Sequence, residues 1–159
     1  KTVGVINLDA MTVLGRTRDF EVVGKGSSEM EDLLTPLLAA QGRTAFAEVE
    51  VQNGYYFRSD HFNFAKAGVP ALYAKGGLDH VEKGAEYGKA QAERYTTQDY
   101  HKPSDEFDPA WDLSGVIEDL AVLYGVGETL ANSEQWPNWY ASSAFRSKRD
   151  AMMAAPATP

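Results

Sequence analysis

The apolar and polar positions along the chain fall into alternating short runs and helical stripes. Residues 2–9, TVGVINLD, are apolar on both faces and rich in β-branched side chains. That predicts a buried, central strand ending at Asp9. RDFEVVG, residues 18–24, predicts a short extended piece. In SSEMEDLLTPLLAAQG, residues 27–42, Met30, Leu33, Leu34, Leu37 and Leu38 share one helical face. Ser28 and Glu31 have capping-box spacing, Gly42 ends the helix, and Pro36 predicts a kink or a split. AFAEVEV, 45–51, alternates like a strand with one wet face. SDHFNFAKAG, 59–68, predicts a short helix capped by Ser59 or Asp60 and stopped by Gly68. VPALYAK, 69–75, reads as a second buried strand, with Pro70 tolerated at its start.

Residues 76–108 form a polar stretch rich in Gly, Tyr and charge, a length that marks a connection as functional or disordered. A long helix follows from Pro109 to about Asn132, its stripe made by Leu113, Val116, Ile117, Leu120, Leu123 and Tyr124. FRSKRDAMMAAPATP closes the sequence as a short basic helix with an Ala/Pro end. Strands and helices alternating in this way predict an α/β fold with a mixed sheet. The expected organisation is one domain over residues 1–150 and a flexible tail over 151–159.

Composition narrows the partners. The 159 residues are 43% hydrophobic and 24% charged, as in ordinary globular domains. No apolar run reaches the ~20 residues of a membrane span. A formal net charge of -8 argues against nucleic acid as partner, because phosphate contacts need Lys and Arg. With no Cys, disulfides and thiolate chemistry are excluded, and any metal site must use His, Asp and Glu.

No phosphate-binding loop, dinucleotide fingerprint or nucleophile elbow is present. Three stretches can carry chemistry: NLD at 7–9, RSDHF at 58–62 and YHKPSDE at 100–106. Taken singly, each has a plain structural reading. Asp9 can bond a turn amide, Asp60 can cap a helix, Arg58 can pair with a surface carboxylate, and His61, His80 and His101 can be packed or loop histidines. Spacing alone joins none of them.

Together, VINLDAMTVLGR, YYFRSDHFNFAKAGVPAL and YHKPSDEFD, in this order, resemble the co-catalytic di-zinc aminopeptidases of metallopeptidase family twenty-eight. Glutamate carboxypeptidase and glutaminyl cyclase share that fold. The resemblance covers roughly Val3 to Asn132. It implies a three-layer α/β/α architecture with a mixed, mostly parallel sheet. It implies that Asp9 binds one zinc and His101 the other, that Tyr100 donates to the oxyanion, and that Arg58 holds substrate. Asp60 and His61 become supports of the pocket wall. A peptide substrate, two zinc ions and a secreted or periplasmic setting follow from the same resemblance.

The family's early H-x-D and E-E motifs have no counterpart in this sequence, so two of its five zinc ligands are present. The expectation is therefore the C-terminal part of a longer catalytic domain, inactive alone, with an open sheet edge where the missing N-terminal half or a second copy would pair. A non-catalytic binding or assembly module is the alternative, and dipeptidase, carboxypeptidase or cyclotransferase chemistry is a third.

Overall fold

The computed structural model describes residues 1–154. Four strands, β1 (Val5–Asn7), β2 (Asp19–Val23), β3 (Thr44–Ala47) and β4 (Ala71–Gly76), form one sheet in the order β1-β4-β2-β3. The β1–β4 and β2–β3 pairs are parallel, and the central β2–β4 pair is antiparallel. Five helices accompany them: α1 (Met30–Ala40), α2 (His61–Lys66), α3 (Gly84–Gln98), α4 (Ser114–Ala131) and α5 (Arg146–Ala154).

Strand alternation divides the core between the two sheet faces. Phe20, Val22, Leu72 and Ala74 face α1 and α4, where they meet Met30, Leu34, Leu38, Val122, Leu123 and Val126. Their neighbours Val23, Ala71 and Tyr73 point the other way, toward α2, Tyr56 and Trp139. The result is the three-layer α/β/α arrangement.

Several local expectations change. β1 is shorter than expected and lies at a sheet edge rather than in the centre, pairing with β4 alone among the described residues. Asp9 follows the strand by two residues. α1 runs unbroken through Pro36, which is exposed, where the missing backbone donor faces water. Half of the expected capping box forms. The Glu31 carboxylate accepts from the amides of Gly26, Ser27 and Ser28, while the Ser28 hydroxyl donates to the Ala71 carbonyl at 3.3 Å. β3 stops at Ala47, because Glu48 turns inward to accept from the Gly24 amide.

The largest departure is α3, fifteen residues of helix inside the stretch expected to be irregular. Its sequence has no apolar stripe, and Gly88 is its only buried residue. A Cβ at Gly88 would sit 2.0 Å from the Leu78 carbonyl oxygen, so close backbone approach seats this helix, with Tyr87 meeting His80 edge-on at 5.3 Å beside it. α4 begins at Ser114, five residues later than expected, after a turn in which Asp112 accepts from the Ser114 amide. α5 extends past the expected boundary at residue 150, and the end of the expected tail, 155–159, lies outside the described residues.

Two buried cations fix the layers. Arg149, fully buried, donates to the carbonyls of Thr2, Val3 and Pro137 and so ties α5 to the start of β1. Lys1 Nζ adds a bond to the Met153 carbonyl at 3.1 Å. Arg43 lies 2.7 Å from Asp119 of α4 and also donates to Thr17 Oγ1 and the Asp19 carbonyl. Asp119 in turn accepts from the Gly76 amide at 2.8 Å. Burial raises the Asp119 carboxyl above its ordinary value of 3.8, although Arg43 pulls the other way. Removing one partner strands the other charge. Arg43→Met is therefore expected to lower unfolding free energy by about 3–5 kcal/mol in urea titrations, and Arg43→Met with Asp119→Leu to recover most of it. A double variant as unstable as the single one contradicts this account.

Candidate functional site

Asp9, Arg58, Tyr100 and His101 all line one open cleft of about 1390 Å³ on the sheet rim. They come from three different loops. Asp9 follows β1, Arg58 precedes α2, and Tyr100 and His101 follow α3. The topology thus gathers three stretches that sequence spacing leaves apart.

Asp9 is held rather than free. Its Oδ1 accepts from the Ala10 amide at 2.9 Å, and its Oδ2 accepts from the Ser59 hydroxyl at 2.6 Å. Asn7 Nδ2 donates to Ser59 Oγ at 2.9 Å, completing a chain from strand to loop to carboxylate. The Ser59 bond lowers the Asp9 carboxyl below 3.8; the Ala10 amide and Lys75 act in the same direction, against a smaller penalty from burial. Asp9 is an anion at neutral pH.

The Ser59 hydroxyl therefore caps nothing. Asp60 occupies the N-cap position of α2 without a side-chain bond, so neither expected cap forms. Asp60 is exposed and His61 buried, and neither lines the cleft. The His61 ring is 1% exposed, with centroids 4.6 Å from Tyr56 and 5.0 Å from Tyr73, and neither nitrogen has a hydrogen-bond partner. Burial lowers its pKa below 6.5. It is a packed, neutral ring.

His101 adopts φ 58°, the only positive φ among the described non-glycine residues. Its ring stacks on Tyr100 with centroids 3.9 Å apart, and Tyr95 meets Tyr100 edge-on at 5.9 Å. Tyr95 is itself tied to the loop by its hydroxyl, which donates to Asp105 at 2.9 Å. The imidazole stands exposed at the rim and bonds no described residue. A side chain held out to solvent on a left-handed backbone suits a ligand better than a core.

Ser59 reads in the sequence as a helix cap, and neither Asn7 nor Tyr73 stands out there as a site residue. Tyr73 is buried on β4 with its hydroxyl against Ser59, and burial pushes its pKa up. One signal was available: Tyr73 and Lys75 alternate with Leu72 and Ala74, so they share the face opposite the main core. His80 takes its plain reading, its Nδ1 accepting the amides of Glu82 and Lys83 at 3.0 Å each.

The donors suit zinc in kind, a carboxylate and an imidazole. They are few: among the described residues no three His, Asp or Glu side chains gather as a metal site.

The sequence model of peptidase family M28 matches residues 1–124, most of the chain. The chain belongs to peptidase family M28. No curated protein and no solved structure matches it. Membership makes this a peptidase-family chain, and the match spans Asp9, Arg58, Tyr100 and His101 together.

The hydrogen bond between Ser59 and Asp9 has a measurable sign. With its folded pKa depressed, Asp9 contributes stability above its ordinary value of 3.8 and loses it as pH falls through the lower folded value. An NMR titration of the Asp9 side chain should show a midpoint below 3.8, and Ser59→Ala should move it upward. An unmoved midpoint contradicts the assignment.

Proposed function

We propose that this chain forms part of the active site of a zinc-dependent aminopeptidase that removes N-terminal residues from peptides. What supports the reading is the convergence of Asp9, Arg58, Tyr100 and His101 on one cleft within a family M28 chain. Zinc, when bound, supplies Lewis-acid polarisation of the peptide carbonyl and a water activated for attack. Asp9 and His101 are the residues that would hold it, one for each of two ions.

The chain's own groups then have distinct tasks. Ser59 and Asn7 keep the Asp9 carboxylate anionic and oriented. Tyr100 offers a hydroxyl that bonds no described residue, and it donates to the substrate oxygen on which charge develops. A donor of that kind contributes roughly 3–4 kcal/mol to the transition state. Arg58 holds the substrate backbone at the rim. Asp60 and His61 act at a distance, His61 as the packed ring under the loop that carries Ser59.

Two donors do not complete a zinc sphere, so the remaining ligands and the general base come from polypeptide outside residues 1–154. The unpaired side of β1 is, in the same proposal, where that polypeptide joins the sheet. A secreted or periplasmic setting belongs to the proposal as well.

Amino-acid anilide hydrolysis and zinc content test it. The chain by itself should release no amine above background, and the full-length protein should do so with zinc bound. In the full-length protein Tyr100→Phe should lower kcat by about 10²–10³. Asp9→Ala should lose zinc. His101→Gly should lose zinc, and compared with the unsubstituted protein in zinc-free buffer it should gain about 1 kcal/mol of stability, because glycine accepts positive φ without strain. Turnover by the isolated chain sinks the incomplete-site account, and a zinc-loaded full-length protein that cleaves no anilide sinks the peptidase reading.

A further inference from the structure

Lys75 and Glu21 face the cleft as a cross-strand pair, and the reaction outlined above uses neither. Register puts Lys75 of β4 opposite Glu21 of β2, and Glu21 opposite Phe46 of β3. These three form one row across the sheet, and all three line the cleft. Asn7 pairs with Tyr73 in parallel register at the end of β1, and Asp9 lies two residues beyond Asn7 as Lys75 lies two beyond Tyr73. The Lys75 charge acts on the Asp9 carboxylate, as that position requires.

The ammonium is short of acceptors where it stands. Its side chain is 26% exposed, and the Glu21 carboxylate oxygen lies 3.8 Å from Nζ. That is an ion-pair contact, longer than the ~2.7–3.2 Å of a hydrogen bond. An ammonium carries three donors, and a half-sheltered one gains by meeting an acceptor that enters from the cleft. Glu21 itself is sheltered at 20% exposure and meets the ammonium only at that longer distance, which leaves donors of Lys75 open toward the cleft. Burial raises the Glu21 carboxyl and Lys75 lowers it, as befits a pair that stays together. Glu50 on the same wall is already engaged by Asn53 Nδ2 at 2.6 Å. Phe46 and Tyr73 flank the pair with apolar surface that suits methylene groups.

We propose that Lys75, seated on Glu21, is a specificity-determining residue that receives the side-chain carboxylate of an acidic terminal residue of the substrate. The assignment of that carboxylate to a scissile residue rests on the peptidase reading of the cleft; the carboxylate site itself rests on the β4–β2–β3 row. An ion pair sheltered to this degree favours the charged side chain over its neutral amide by about tenfold.

The test titrates the isotopically labelled chain with L-glutamate, L-glutamine and L-leucine, followed by amide NMR. Expected are shifts at Glu21, Lys75 and Gly76 with glutamate, and affinity about tenfold above that for glutamine. Lys75→Met should bring the ratio near one, and Lys75→Arg should keep it. Equal binding of glutamate and glutamine, no glutamate binding, or an unchanged ratio in Lys75→Met overturns the proposal. Turnover by the zinc-loaded full-length protein separates the two readings. Leucyl-anilide cleavage with no glutamyl-over-glutaminyl preference overturns the role of Lys75 and leaves the peptidase reading standing. Lysine-dependent glutamate binding with no anilide cleaved supports the carboxylate site and removes the peptidase reading.

Discussion

A guanidinium and a carboxylate shut away from water hold the layers of this domain in register. Arg43 stands just before β3 and Asp119 on α4, and each satisfies the other at 2.7 Å. Around them, Nη2 of Arg43 donates to the Thr17 hydroxyl and the Asp19 carbonyl, Nη1 donates to the Gln41 side chain, and the Gly76 amide donates to the second carboxylate oxygen of Asp119. The Arg43 guanidinium also lies over the Phe20 ring at 4.9 Å, in the centre of the larger core. Buried ion pairs contribute little net stability compared with apolar residues, yet they tolerate one geometry only. Here that geometry joins the start of β2, the end of β4 and the middle of α4. The end of β4 carries Lys75, and Lys75 faces the cleft. The orientation of the cleft wall thus follows from a contact on the opposite sheet face.

The site is polar where the core is not, and strand alternation is the cause. On β4, Leu72 and Ala74 enter the core while Tyr73 and Lys75 look into the cleft. On β2, Phe20 and Val22 do the first and Glu21 the second. A single-residue slip in either strand would exchange the two sets. The antiparallel pairing of β2 with β4 is therefore a condition of the chemistry as well as of the fold.

Much of this was legible in the sequence. α1, α2 and β4 announce themselves through apolar period and glycine stops, and Gly68 ends α2 at φ 90° as expected. α4 forms too, but the stripe expected for it is mostly exposed, at Leu113, Ile117, Leu120 and Tyr124; Leu123 meets the core together with Val122 and Val126, because the buried Asp119 turns that face inward. The three stretches of site residues were visible as motifs. What escaped was non-local. α3 is seated by one glycine against a carbonyl, which leaves no stripe to read. The edge position of β1 depends on which strands pair, and residue pattern does not report pairing. Ser59 looks like a helix cap because a cap and a donor to a distant carboxylate use the same residue type; the fold decides between them. Arg43 and Asp119 carry no mark of partnership in their local sequence.

The clamp formed by Arg149 has a topological consequence. With Arg149 bonded to the Thr2 and Val3 carbonyls, and Lys1 bonded to Met153, the two ends of the described chain meet at one corner. A short linker could close that corner into a ring without crossing the sheet, so the domain suits circular permutation.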